Sequence, residues 1–526
     1  MTRGRWRFAT ALVAFLATLA VIATYPVFSQ TWDEPATLAA GMEWLSTGAY
    51  HYEAQHPPLA RVASALLPYL RGARSLGNHG IYDEGRALLG EGAHYRRTLF
   101  LARLGMLPFF WLLLVVSARW GARIAGGAGA TLATVFATAN PNLLAHAGIA
   151  GTDLAPAAFV VAGAYAWLRW REHPTLARGM VLGLVLGLAA TTKFSALAFL
   201  GLTIALGETV RWLSLRRGEF ASAVGGVPWR SMLVAVATAA IAVWAVYRFH
   251  VGPITPGGVP VPAPEFFAGL AAFFTHGSGG HPAFLLGEVR LRGWWYYYLV
   301  VLAVKTPLPL LALAIVGTAY AMRARRDEGW IAVVPVAGVI AVLVPALLSR
   351  VDLGVRIVLA IYPFLALLAA RGAVTAWRTL GPRWQVLARR IAVAALVAGM
   401  VLTSGRTWPD YLAYFNPVTG AHPERVLVDS NLDWGQDLYR LADTVRARGI
   451  DSIRVHYFGS SQLSSVGLTN ARRLARDERP TGWVAASETF LAGVWSDTSL
   501  RWLARRTPVA RIGPSMRLYY IPPDEH

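Results

Sequence analysis

Residues 8–28 read FATALVAFLATLAVIATYPVF, with Arg3, Arg5 and Arg7 in front and Trp32-Asp33-Glu34-Pro35 close behind. An uncharged run of this length can cross the roughly 30 Å hydrocarbon layer of a bilayer as a helix. The arginines before it predict a cytoplasmic N-terminus, because basic residues are retained on that side. The stretch YPVFSQTWDE lacks a small-x-small cleavage pattern, so the run reads as a retained helix and not as a signal peptide.

Further apolar runs follow at 98–118, 124–145, 153–169, 231–247, 296–321, 330–348, 355–370 and 390–404. A shorter pair, 179–192 and 194–209, flanks Lys193, which brings the predicted spans to about eleven. Alternating from a cytoplasmic N-terminus puts Arg119 and Arg123, then Arg169, Arg171 and Arg178, then Arg371 and Arg378 into inner loops. The longer loops 30–96 and 248–293 fall outside and are mixed in charge. An odd number of spans leaves everything after residue 404 outside as well.

Composition agrees. Hydrophobic residues make up 55% and charged residues 15% of the 526, where a soluble domain carries about 25% charge. The absence of cysteine excludes thiol nucleophiles, iron–sulfur clusters and thiolate zinc sites. The net charge of +20 raises the question of nucleic acid. Residues 405–526, however, hold 15 Arg against 13 Asp plus Glu, so the excess lies among the apolar runs as topology signals. No continuous basic face is left for a nucleic acid.

We therefore expect a transmembrane unit over 1–404, with an acidic motif in the outer loop 30–96, followed by a small extracytoplasmic α/β domain over 405–526. In the latter, Val426–Asp429, Ser452–Phe458, Val509–Ile512 and Arg517–Ile521 read as strands and Gly435–Arg448 as a helix. The segment 252–264, rich in Gly and Pro, reads as a loop, and Trp294–Tyr298 as an aromatic belt at the membrane interface.

Chemistry concentrates at the outer edge of the membrane. Pro35 suits the first turn of a helix and Gly48 its C-terminal stop, with Leu38, Met42 and Leu45 at helical spacing between them. This predicts a short amphipathic helix along the outer surface, with Asp33 and Glu34 at its N-terminus. The positive end of a helix favours the ionised carboxylate, the state a general base needs; simple helix capping is the competing reading. In Gln55-His56-Pro57-Pro58, His56 is either a hydrogen-bonding group for substrate or an ordinary loop histidine. Arg103, His146, Asp153, Lys193, Lys305 and Arg356 all fall in the outer half of the predicted spans. Charges within spans are costly and usually line a site, and cations there suit an anionic lipid headgroup.

The pattern Asp429-x-Asn431-x-Asp433-x-Gly435 hints at a calcium loop, but the glycine comes one place late and Arg440 stands where a glutamate is expected. Asx turns, with Asp433 capping the next helix, fit better. No metal-ligand set is convincing, and a divalent cation is left open.

Asp33-Glu34 after the first span, followed by His56-Pro57-Pro58-Leu59, resembles the first outer loop of the protein O-mannosyltransferases and of the bacterial lipid A aminoarabinose transferases. Asn140-Pro141 with His146 and Asp153, Gly187-Leu188 before Thr192-Lys193, and Lys305-Thr306-Pro307-Leu308 are similar to later landmarks of these enzymes. The resemblance implies a GT-C glycosyltransferase of the family 39 type in the cytoplasmic (inner) membrane. Such an enzyme moves a sugar, with inversion, from a polyprenyl-phosphate carrier to a protein, lipid or glycan acceptor outside the cytoplasm. By position, Asp33 becomes the base, and Glu34 orients the acceptor or shares that role. Arg103, Lys193 and Arg356 neutralise the departing lipid phosphate, with His56 and Lys305 in support. The tail containing Ser430-Asn431-Leu432-Asp433-Trp434-Gly435 replaces the β-trefoil insertion of the eukaryotic enzymes, so acceptor identity does not transfer. The competing classes are a transporter or flippase for a lipid-linked glycan and a non-catalytic membrane assembly protein.

Overall fold

The computed structural model describes residues 3–216, 228–475, 478–496 and 500–523. Among them, seven helical stretches are long and apolar enough to cross a membrane: Gly4–Ile22, Gly92–Thr138, Phe194–Ser214, Trp229–Val246, Leu308–Arg325, Gly329–Leu347 and Arg383–Thr407. The protein is a multi-pass helical membrane protein, and each of the predicted apolar runs contains helix.

Helix α1 (Arg3–Ile22) leads into a first long connection of four helices, α2 (Glu34–Thr47), α3 (Leu59–Leu70), α4 (Ile81–Leu89) and α5 (Gly92–Leu104). Then come α6 (Leu107–Thr138), the short α7 (Pro141–Ala147), α8 (Leu154–Glu172), α9 (Leu176–Ala190), α10 (Phe194–Arg216) and α11 (Trp229–Val246). The second long connection holds the hairpin β1–β2 (Val251–Pro253 and Pro260–Pro262), α12 (Pro264–Ser278) and the hairpin β3–β4 (Ala283–Leu285 and Glu288–Arg290). Helices α13 (Tyr297–Lys305), α14 (Leu308–Glu328), α15 (Val334–Leu347), α16 (Ile361–Arg378) and α17 (Arg383–Thr407) complete the helical part.

Several local expectations change. The second and third spans are the two arms of α6, which folds back at Ala125–Gly126, where Gly126 takes φ +69. The arms touch so closely that a β-carbon on Gly121 would lie 2.4 Å from the Gly129 carbonyl oxygen. Arg103 stands in the last turn of α5, before a break at Gly105, whose absent β-carbon makes room for the Ala63 backbone. The helix after Asp33 exists and stops at Gly48 in the left-handed conformation. It has no exposed polar face, however: every residue from Glu34 to Trp44 is buried, because α3 and α4 cover it. The 252–264 segment is mostly the β1–β2 hairpin. The aromatic run is core and not a belt: Trp294, Tyr297 and Tyr298 are buried, and Trp295 alone is exposed, at 71%.

Beyond α17, Tyr411 and Leu427 still belong to the apolar core of the membrane helices. The expected strand Val426–Asp429 does not form. Its place is taken by 3-10 turns at Pro423–Arg425 and Asp429–Asn431, and Asp429 takes φ +57, which interrupts any extended run. Helix α18 (Leu438–Ala447) starts three residues later than expected, with Asp437 at the N-cap position. Asp433 does not cap it; its carboxylate accepts from the Thr489 and Gly435 backbone N–H groups.

The remainder is a five-stranded sheet of β5 (Ile453–His456), β6 (Ala471–Arg473), β7 (Gly482–Ser487), β8 (Ala510–Ile512) and β9 (Met516–Ile521), in the order β6-β5-β7-β9-β8. Strand β5 runs parallel to β6 and β7, and β9 antiparallel to β7 and β8. One apolar cluster joins Leu438, Val455 and Leu518 of this unit to Leu38, Met42 and Leu99 of α2 and α5. Burial of that shared surface holds the sheet unit against α2 and α5.

Candidate active site

The segment between α1 and α2 carries the two acids in opposite directions. Glu34 points inward and is 1% exposed. Its Oε1 accepts from Arg103 Nε (2.8 Å) and the Ala150 N–H (2.9 Å), and its Oε2 from Arg103 Nη2 (2.9 Å) and the Thr31 N–H (2.7 Å). Arg103 also donates to the carbonyls of Tyr25, Phe28 and Ser29, each at 2.9 Å. With every donor and acceptor engaged inside the protein, this pair ties α2, α5 and the end of α1 together. Neither the acceptor-orienting role expected of Glu34 nor the phosphate-facing role expected of Arg103 fits that burial.

Asp33 points the other way. It occupies the N-cap position of α2 but makes no side-chain capping bond, and its side chain is 34% exposed. Its Oδ2 accepts from Arg356 Nη1 at 2.6 Å. Arg356, on the 3-10 turn Val355–Val358 that precedes α16, also lies 4.0 Å from Asp153 Oδ2. Asp153, at the start of α8, accepts from Lys193 Nζ at 2.7 Å through its other oxygen. The result is a chain of alternating charges, Asp33–Arg356–Asp153–Lys193, drawn from four separate segments. His146 on α7 is buried near it, with its ring 6.2 Å from that of Trp434. Both His146 Nε2 and Arg356 Nε are buried without a hydrogen-bond partner.

The other expected site residues lie differently. His56 bonds Glu53 Oε1 at 3.0 Å, and Glu53 is also paired with Arg61. Burial pushes the Glu53 carboxyl up, but Arg61 and then His56 outweigh it and hold the group well below the usual carboxylate range. Lys305 is fully buried and faces backbone: Nζ donates to the carbonyls of Leu412 (2.8 Å) and Asn431 (2.7 Å) and sits 4.5 Å from the Phe415 ring centroid. It is a clamp on the C-terminal segment and not a free cation at the site.

Three neighbours were not assigned to the site from sequence. Tyr82 accepts from Trp32 Nε1 at 2.9 Å; burial, and then the negative charge of Asp33, raise its hydroxyl well above the usual phenol range. The Trp434 ring lies against Arg356, 4.6 Å from the guanidinium to the ring centroid. Asp429 stands close enough to Arg356 and Asp33 to feel both; burial raises its carboxyl and Arg356 opposes the rise. The only signal for the last two was the density of Asn, Asp and Trp in residues 429–437.

This arrangement can accept a proton at Asp33 and hold an anion at Arg356 and Lys193, with little water reaching Asp153 or His146. Among the described residues no three His, Asp or Glu side chains converge as a metal site.

No protein-family model matches this chain, and no curated protein does. Among solved structures, ArnT from Cupriavidus metallidurans bound to undecaprenyl phosphate aligns over 97% of this chain and 97% of its own, at 14% identity and a TM-score of 0.50. An oligosaccharyltransferase from Archaeoglobus fulgidus aligns over 90% of this chain and 62% of its own, at 13% identity and a TM-score of 0.44. Such identities speak for the fold alone, and only the first likeness is close enough to use. Over nearly its whole length the chain shares the fold of that membrane protein, in line with the fold expected from the motifs around Asp33, Lys193 and Lys305.

Proposed function

We propose that the protein is an inverting glycosyltransferase that takes a sugar from a polyprenyl-phosphate carrier and passes it to an acceptor outside the cytoplasm. In this reading it resides in the inner membrane with a cytoplasmic N-terminus, and the unit from 405 onward is extracytoplasmic. The observation that carries the reading is the half-open Asp33 carboxylate joined through Arg356 and Asp153 to Lys193. A base and phosphate-binding cations are what a displacement at the anomeric carbon of a phospho-sugar requires. The bound undecaprenyl phosphate in ArnT, a protein of the same fold, supports the choice of donor.

In the resting protein Asp33 and Asp153 neutralise Arg356 and Lys193. A donor phosphate entering between the cations competes for their N–H groups, and the unpartnered Arg356 Nε and His146 Nε2 can meet its remaining oxygens. Asp33, released from Arg356, then takes the proton of the acceptor hydroxyl. As that oxygen bonds the anomeric carbon, the bond from that carbon to the phosphate oxygen breaks, and the lipid phosphate leaves with the electron pair. Proton transfer to a placed base contributes about 10²–10⁴-fold. The cations stabilise charge where it develops, in a site that excludes water.

Purified protein incubated with a panel of polyprenyl-phosphate sugars tests this. Release of free lipid phosphate that depends on an added acceptor supports the proposal; no release from any donor in the panel contradicts it.

A further inference from the structure

Arg356 reaches the site on the turn Asp352-Leu353-Gly354-Val355, and the first part of the C-terminal segment is bonded directly onto that turn. Ser430 Oγ donates to the Leu353 carbonyl at 2.8 Å. Asn431 Oδ1 accepts from the Val355 N–H, immediately before Arg356, at 3.0 Å. Gly354 takes φ +82, and a β-carbon there would sit 2.7–2.9 Å from the Asn431 amide, so the two are in direct contact.

Asn431 is itself fixed from behind. Its carbonyl accepts from Lys305 Nζ at 2.7 Å, and its Nδ2 donates to the Val428 carbonyl at 3.2 Å. This gives the buried amine of Lys305 a purpose, since one of its two hydrogen bonds anchors the residue that holds the turn. Three residues on, Trp434 lies against the Arg356 guanidinium and its carbonyl accepts from the Trp32 N–H at 2.9 Å, next to Asp33. Asn431 and Trp434 are almost wholly buried, at 0% and 2% exposure, and the contacts described above are with the protein itself.

We infer that Asn431 and Trp434 are positioning residues for Arg356, so that the docked C-terminal segment sets the geometry of the donor-phosphate site. The inference rests on the proposed donor. Asn431 fixes where the Arg356 backbone enters, and Trp434 fixes the plane of its guanidinium through a cation–π contact. A misplacement near 1 Å at such a group can cost about 10²-fold in rate.

The test uses the full-length protein in lipid nanodiscs and reads binding of undecaprenyl monophosphate. Wild type, Asn431→Ala, Trp434→Leu, Trp434→Phe and Arg356→Ala are compared, together with the double variants that combine each of the first two substitutions with Arg356→Ala. Asn431→Ala and Trp434→Leu should each weaken binding about tenfold, the scale of one buried hydrogen bond or cation–π contact. Trp434→Phe, which keeps a ring under the guanidinium, should recover most of that loss. With Arg356 already absent, neither substitution should matter further. Equal losses with and without Arg356, or wild-type binding in both single variants, would overturn the inference. If Asn431→Ala does not fold, the Trp434 series carries the comparison. Failure of the wild type itself to bind the lipid phosphate would instead remove the proposed donor, and the inference with it.

Discussion

Replacing Glu34 by Gln keeps the shape of the side chain and removes one charge from a pair in which both partners are 1% exposed. The carboxylate accepts two bonds from Arg103 and one each from the Thr31 and Ala150 N–H groups. An amide offers a single acceptor oxygen, so its NH₂ faces two of those donors wherever it is turned. Arg103 keeps its three carbonyl partners but loses its counter-charge. Breaking a buried pair of this kind costs about 3–5 kcal/mol. With an unfolding entropy of about 2 cal/mol/K per residue across 526 residues, that is a fall in Tm of about 3–5 °C if the chain unfolds in one step. Thermal unfolding in detergent, followed by tryptophan fluorescence, reads the shift. Asp33→Asn is the comparison: its pair with Arg356 is partly exposed, at 34% and 15%, and Asp153 still faces Arg356 after the change, so its Tm should fall by less than that of Glu34→Gln. A Glu34→Gln protein as stable as the wild type, or no less stable than Asp33→Asn, refutes the division of the two acids into one structural and one reactive group.

Stability should also depend on pH through Asp433. Burial pushes its carboxyl up to about 7, while the unfolded chain titrates near the ordinary aspartate value. Between those values the folded chain keeps a proton that the unfolded chain has lost. The contribution is therefore fully present below the unfolded value and declines as pH rises toward 7; Tm measured from pH 5 to pH 8 should fall, and Asp433→Asn should flatten the slope. Gly354→Ala forces a side chain into the left-handed region and against Asn431. It should cost about 1–3 kcal/mol and reduce lipid-phosphate binding, as thermal unfolding and a binding titration would show. Lys193→Ala removes the cation paired with Asp153; affinity for a polyprenyl-phosphate donor, read as KM, should weaken, and Lys193→Arg should retain more of it.

The membrane architecture was legible because apolar runs announce spans and charge inside them is expensive. Asp33, Lys193 and Arg356 could be picked out for the same reason: each ionisable group stands at or just beyond the end of an apolar run. The pairing of those charges was not legible, since Arg356 and Asp33 are 323 residues apart. Nor was the difference between Asp33 and Glu34. Adjacent acids on a helix N-terminus look alike in sequence, and only the packing of α5 behind α2 turns one of them inward onto Arg103. Lys305 misled as well, because a lysine near the end of a span looks like a phosphate ligand until the chain that crosses it is known. The strand expected at Val426–Asp429 failed for a similar reason. The local preference of a Val-Leu-Val run lost to bonds with the distant turn 353–355, which hold Ser430 and Asn431 in a 3-10 turn.

The central claim is that Asp33 takes the proton of the acceptor while Arg356 and Lys193 receive the phosphate. The most direct test measures sugar transfer by Asp33→Asn beside the wild type, with the donor and acceptor found active in the panel and with folding checked by Tm. The account predicts a loss of about 10²–10⁴-fold in kcat with donor binding retained. Transfer by Asp33→Asn at the wild-type rate would contradict it.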